Sequence, residues 1–135
     1  MRIISFDTGP ISRFLAEDKH SRLEKLFESI RKQEIQAHVV TPVITEVYKH
    51  LCVKRGKIYA EKTILTFLDK YQIQIENPNK DLAIKAGEIK CSQRKKLSYT
   101  DCYVLAFALL KKMEVHTTEK NLPSLQKLKI VTYKY

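Results

Sequence analysis

The chain has 135 residues, enough for one domain with a real core and too few for an array of them. Hydrophobic residues make up 44% and charged residues 30%, which excludes a disordered chain, and no apolar stretch is long enough to span a bilayer, so no membrane partner is expected. Lys and Arg number 25 against 15 Asp and Glu, and the net charge of +10 favours a polyanionic partner, most simply nucleic acid.

In chain order, residues 2–6 read as a strand that runs straight into Asp7-Thr8-Gly9-Pro10. With a strand directly at its start, the sequence predicts no signal peptide. Pro10 opens a predicted helix through Leu15, since proline suits a first helical turn. Asp18 or Ser21 is the expected cap of the next helix, whose Leu23, Leu26, Phe27 and Ile30 recur at helical spacing. Gln36–Val40 is a second strand. Thr41-Pro42 starts a helix with an apolar stripe of Val43, Val47, Tyr48 and Leu51, and Gly56 ends it. Ile58–Lys70 is helical, and Ile73 and Ile75 alternate with polar residues as a strand would. After the turn Asn77-Pro78-Asn79, Asp81–Cys91 is helical and Arg94-Lys95-Lys96 is a basic connector. Ser98 and Asp101 form a capping-box start. The helix they open, through Val104–Leu110, is apolar almost all round and therefore buried. Val115–Thr117 and Ile130–Thr132 are the last strands. Strands alternating with helices predict a three-layer α/β/α domain with a central, mainly parallel sheet.

Four carboxylates occupy comparable places. Asp7 ends the first strand, Glu46 lies one turn into the helix after the second, Asp101 starts the buried helix, and Glu119 follows Val115–Thr117. Parallel connection brings these positions to one edge of the sheet. Acids gathered there repel one another unless cations bind between them. Oxygen donors without soft ligands favour Mg²⁺ or Mn²⁺. Such ions polarise a phosphodiester and activate water, and a basic rim would hold the nucleic-acid backbone. Taken singly, each acid has a plainer role. Asp7 suits a turn, Glu46 and Asp101 suit a helix dipole or cap, and Glu119 suits a solvated loop. The four together, in this order, carry the metal reading.

The same residues resemble the PIN-domain family, of the small single-domain kind typified by VapC toxins. The matching pieces are Ile3-Ile4-Ser5-Phe6-Asp7-Thr8, Thr41-Pro42-Val43-Ile44-Thr45-Glu46-Val47, Leu97-Ser98-Tyr99-Thr100-Asp101-Cys102 with Tyr103-Val104-Leu105-Ala106, and His116-Thr117-Thr118-Glu119-Lys120-Asn121-Leu122. They span nearly the whole chain, 1–135, as one PIN-like domain. The resemblance implies a Mg²⁺- or Mn²⁺-dependent endoribonuclease in which Asp7, Glu46 and Asp101 hold the metal and a fourth acid with a nearby hydroxyl completes the site. It also implies a homodimer and a small antitoxin protein that silences it. The last motif departs from the family's Thr-x-Asp-x-Asp-Phe. Glu119 keeps a carboxylate of longer reach, and Asn121 loses a charge.

Thr8 and Thr117 are the candidate supporting hydroxyls. Arg13, Arg94, Lys95 and Lys96 are the candidate RNA contacts. Tyr99 and Tyr103 share a helix face and suit either base stacking or packing. The apolar helices Ser21–Ile30 and Ile58–Leu68 are the expected dimer and antitoxin surface. Asp7-Thr8-Gly9 also matches the aspartic-protease triplet, but that chemistry needs an all-β fold or its dimer, and the helical pattern argues against it. The phosphatase pattern Asp-x-Asp-x-Thr is broken by Gly9. Cys52, Cys91 and Cys102 form no Cys-x-x-Cys pair and the four His show no ligand spacing, so a zinc site is not expected, and reduced thiols suit the cytoplasm. Two alternatives keep the fold: a non-catalytic RNA-binding module, and an RNA-processing nuclease without an antitoxin.

Overall fold

A parallel sheet flanked by helices organises the chain, here described from a computed structural model over residues 1–93, 97–123, 125 and 127–135. Its elements are β1 (Arg2–Phe6), α1 (Thr8–Leu15), α2 (Ser21–Arg31), β2 (Ile35–Val40), α3 (Thr41–Arg55), α4 (Lys57–Lys70), β3 (Gln74–Glu76), α5 (Lys80–Ser92), α6 (Tyr99–Lys111), β4 (Glu114–Thr117) and β5 (Ile130–Thr132). The strands lie in the order β3-β2-β1-β4-β5, and every pairing is parallel. The chain lays β2 and β3 on one side of β1, then returns to lay β4 and β5 on the other. Between β1 and β4 the order reverses. Ligands of open parallel sheets bind outside the carboxyl ends of the strands at such a switch point.

Strand alternation gives each face its own helices. Phe6 points to the α2 side, where it stacks on Phe27 with centroids 5.1 Å apart, and Phe27 stacks on Phe14 at 4.0 Å. Ser5 points to the opposite face with its register partner His38, whose ring lies 6.2 Å from Phe107 of α6. Both faces are thus covered, which explains why Ile4, Ser5 and Phe6 are all buried. The Ser5 hydroxyl, fully buried, has no hydrogen-bond partner among the described residues. Helix α6 buries Cys102 and Val104 through Ala108, as its all-round apolar sequence requires. No helix among the described residues is long and apolar enough to cross a membrane.

Three local expectations are corrected. Helix α1 begins at Thr8 rather than Pro10, with Asp7 as an extended N-cap whose side chain makes no cap hydrogen bond. The cap of α2 is His20, not Asp18 or Ser21. Its Nδ1 accepts from the Leu23 amide at 3.4 Å, while Asp18 is held by Arg13 at 2.7 Å. The apolar stripe of α2 is spent on the core, with Leu23, Leu26, Phe27 and Ile30 buried, so that stripe is not a free docking face. Gly56 does end α3, and it also starts α4, at φ 88°, a value L side chains rarely adopt.

Candidate functional site

Asp7 leaves the end of β1 at the switch point, one residue before α1, and is 3% exposed. Its amide donates to the His116 carbonyl at 2.9 Å, which fixes the end of β1 against β4. Its carboxylate turns away from the helix amides and accepts from the Thr117 hydroxyl at 2.7 Å. Thr117 Oγ1 also accepts from the Glu119 amide at 2.9 Å. Helix α3 brings Glu46 to the same crevice, where Thr8 Oγ1 donates to Glu46 Oε2 at 3.2 Å. Helix α6 brings Asp101. The capping box is complete: the Asp101 amide donates to Ser98 Oγ at 3.0 Å, and the Ser98 amide donates to Asp101 Oδ2 at 3.2 Å.

Neighbouring charges add to the effect of burial on Asp7 and Asp101. Burial pushes the Asp7 carboxyl up to about 6. The Thr117 hydrogen bond opposes the rise, and the charges of Asp101 and Glu46 add to it. Asp101 is also raised, chiefly by burial and further by Glu46, against hydrogen bonds from Ser98 and the charge of Lys90. Lys90, near the end of α5, donates its ammonium to the Leu97 carbonyl just ahead of the Ser98 cap, and sits 5.0 Å over the Tyr99 ring. Sequence reasoning missed Lys90 because its partners lie on the next helix, beyond the reach of a periodicity.

Glu119 is different. It is exposed, in the loop that follows β4. Its link to the crevice is the amide held by Thr117. Among the described residues, no three His, Cys, Asp or Glu side chains close on a common point as a ready-made metal cage. The carboxylates are held instead by hydroxyls and an amide. Their chemistry nevertheless suits a hard divalent cation: oxygen donors only, mutually repelling, one of them buried and destabilised by its own charge. Arg13 pairs with Asp18 at 2.7 Å and lies 4.1 Å from the Tyr135 ring centroid. Arg94, Lys95 and Lys96 lie outside the described residues. Tyr99 is 71% exposed beside Asp101, whereas Tyr103 packs against the core.

Fold and crevice together define a parallel α/β domain with an acidic centre at its topological switch point. The chain belongs to the PIN domain family, whose model matches residues 4–128. Solved structures share the fold. A chain of the VapBC2 complex from Rickettsia felis, solved bound to a promoter DNA fragment, superposes with a TM-score of 0.78 at 12% identity, covering 97% of this chain and 98% of that one. A chain of a toxin–antitoxin complex from Klebsiella pneumoniae gives 0.71 at 21% identity, covering 98% and 99%. VapC20 from Mycobacterium tuberculosis, a toxin that cleaves the sarcin–ricin loop, gives 0.67 at 17% identity, covering 83% and 86%. At these identities the likeness is one of fold. No curated protein sequence matches the chain.

Proposed function

We propose that this chain is a divalent-metal-dependent endoribonuclease, the toxin of a toxin–antitoxin pair. The observation that carries the reading is the placement of Asp7, Glu46 and Asp101 at one switch-point crevice, each carboxylate held by a hydroxyl or an amide. Asp7, Glu46 and Asp101 would hold Mg²⁺ or Mn²⁺, with Glu119 reaching in from the loop after β4. Such an ion supplies Lewis acidity toward a phosphodiester and toward water. The protein's own part is to hold the acids. Thr117 fixes Asp7, Thr8 fixes Glu46, and the Ser98 amide fixes Asp101. The net charge of +10 supports a polyanionic substrate.

An antitoxin partner is supported by the origin of the fold neighbours, which come from toxin–antitoxin complexes. A groove of about 670 Å³ between the α1–α2 connection and α4, with Phe14, Leu15, Tyr59 and Phe67 in its wall, is the surface we assign to it. Homodimerisation and a cytoplasmic location belong to the same reading.

The test is cleavage of a structured RNA by the purified protein with MnCl₂, beside EDTA and the Asp7→Asn variant. Cleavage by the parent alone supports the site, and cleavage that persists in Asp7→Asn sinks it. One observation favours the second reading, a non-catalytic RNA-binding module: Glu119 is exposed and reaches the crevice through its amide on Thr117, while its carboxylate has no hydrogen bond to the other acids' partners among the described residues. RNA binding by the parent without cleavage would decide for that module.

A further inference from the structure

Helices α1 and α3 pack side by side at the mouth of the crevice, joined by two polar rungs. The first is Thr8 Oγ1 donating to Glu46 Oε2 at 3.2 Å. The second lies four residues further along each helix, where Ser12 Oγ and His50 Nδ1 are 2.8 Å apart. Just over one helical turn, about 6 Å, separates them. Beside the second rung the two helices leave a groove of about 470 Å³, walled by Gly9, Arg13, Lys49, His50, Val53 and Lys54.

The charge in this groove is opposite to that in the crevice. Asp18, which also lines the groove, neutralises Arg13. Lys49 and Lys54, both exposed, pair with no carboxylate among the described residues. His50 is exposed too, and its ring is oriented. When the Ser12 hydroxyl donates to Nδ1, the proton of the neutral imidazole sits on Nε2, which makes that nitrogen a donor. A donor held by a serine and flanked by two unpaired ammonium groups suits an anionic oxygen. The acids one turn away repel that same anion unless a cation intervenes.

We propose that the α1–α3 groove is a phosphate-backbone subsite for single-stranded RNA. This rests on the ribonuclease reading above, which sets a phosphodiester at the acids. The strand continues from the Thr8–Glu46 rung to the Ser12–His50 rung. There the His50 Nε2–H donates to a phosphate oxygen, and Lys49 and Lys54 counter the charge of that phosphate and the next. Such contacts hold the backbone and carry no base sequence. An acidic protein segment is the alternative occupant; RNA is favoured because the ribonuclease reading sets a phosphodiester at Glu46, one helical turn from His50 on the same helix.

The test is binding of a short fluorescent single-stranded RNA with CaCl₂ in place of MnCl₂, read by anisotropy over a range of salt concentrations, with the RNA shown intact on a gel so that cleavage plays no part. The Lys49→Gln/Lys54→Gln double variant should bind at least about tenfold more weakly. Its slope of log K against log salt should fall by about 1.4, at about 0.7 per single-strand phosphate contact. His50→Ala, which removes one donor to the phosphate, should weaken binding as well. Melting temperature and Mn²⁺ affinity, measured for each variant, show that neither fold nor acids have shifted. Unchanged RNA affinity and slope in the double variant overturn the inference and assign the groove to a protein ligand, whether or not the parent cleaves RNA. A parent that binds no RNA overturns it as well. A parent that loses affinity through these substitutions but never cleaves with Mn²⁺ leaves the subsite standing and fails the ribonuclease reading alone.

Discussion

The Thr117 hydroxyl holds Asp7 Oδ2 at 2.7 Å and receives the Glu119 amide at 2.9 Å, so one side chain at the end of β4 sets both the acid at the end of β1 and the loop that follows. As donor, it is the chief force opposing the burial that raises Asp7. Thr117→Val keeps the shape and removes both bonds. It leaves the Glu119 amide without its partner and should cost about 1–3 kcal/mol in urea unfolding. The Asp7 carboxyl should move further upward, and Mn²⁺ affinity should fall with it. Thr117→Ser, which retains the hydroxyl, should restore both. A Val variant that binds Mn²⁺ like the parent would show that the hydroxyl does not set the acid.

Asp7 itself is a cost to the metal-free fold. Its carboxyl is raised from 3.8 to about 6, so above that pH the folded state carries a buried charge beside Asp101 and Glu46. A rise of that size corresponds to about 1–3 kcal/mol. Asp7→Asn removes the charge and keeps an acceptor for Thr117. It should melt higher than the parent at neutral pH in EDTA. Addition of Mn²⁺ should then raise the parent's melting temperature and leave the variant's where it was, because a ligand stabilises only the state that binds it. Equal Mn²⁺ shifts in the two proteins would remove Asp7 from the metal site.

Much of this arrangement is legible in the sequence where a local rule governs it. The Ser98–Asp101 box follows from residue type and spacing alone, and both of its bonds form. The all-parallel sheet follows from alternating strands and helices, with Asp7 at a strand end. What escapes is set by distant partners. His20 caps α2 although histidine is a poor predictor of caps. Its Nε2 is held by the Lys134 carbonyl at 3.0 Å, a partner 114 residues away, and that contact orients Nδ1 toward Leu23. The start of α1 slips because the Asp7 carboxylate serves Thr117 rather than the helix amides. The Ser12–His50 rung spans 38 residues, yet it had a signal: Ser12 and His50 each stand four residues beyond Thr8 and Glu46, which form a rung of their own.

Acid should destabilise the fold through the end of the sheet away from the acids. Glu114 accepts from the Arg2 guanidinium, with Nε at 3.0 Å, and from the His116 Nε2–H at 2.8 Å, while the Tyr133 hydroxyl donates to His116 Nδ1 at 2.7 Å. Burial alone would raise Glu114, but the bonds from His116 and Arg2 hold it at about 2 against an ordinary 4.5. A depressed carboxyl contributes stability above its unfolded pKa and loses it as the pH falls from 4.5 toward 2. His116 is lowered from 6.5, chiefly by burial. The unfolded chain takes up that proton first, so stability also falls as the pH drops below 6.5. Asp7 acts in the opposite sense between about 6 and 3.8, as does the raised Asp101, and an Asp7→Asn/Asp101→Asn background removes both contributions. In that background, urea midpoints should decline from neutral pH to about pH 3, and Glu114→Gln should flatten the lower part of the decline. An undiminished slope below 4.5 in Glu114→Gln would assign the acid sensitivity to other groups.

Gly9 is the one glycine of the chain where an added methyl group would press on a neighbour. A Cβ built there would lie 1.8 Å from the Thr118 hydroxyl and 3.0 Å from its Cβ. Alanine is worth about 1 kcal/mol over glycine inside a helix, so propensity alone predicts that Gly9→Ala stabilises α1. The contact decides the sign, because Thr118 stands next to Thr117, and a shift there loosens the bond to Asp7. Gly9→Ala should therefore destabilise by about 1–3 kcal/mol, the usual cost of overpacking, and should lower Mn²⁺ affinity. Thr118→Ala removes the nearest atom. If the clash is the cause, Gly9→Ala/Thr118→Ala should recover most of the loss, and a double-mutant cycle should return a coupling of at least about 1 kcal/mol between the two positions. Additive effects of the two substitutions would show that α1 tolerates the methyl group without pressing on the β4 loop.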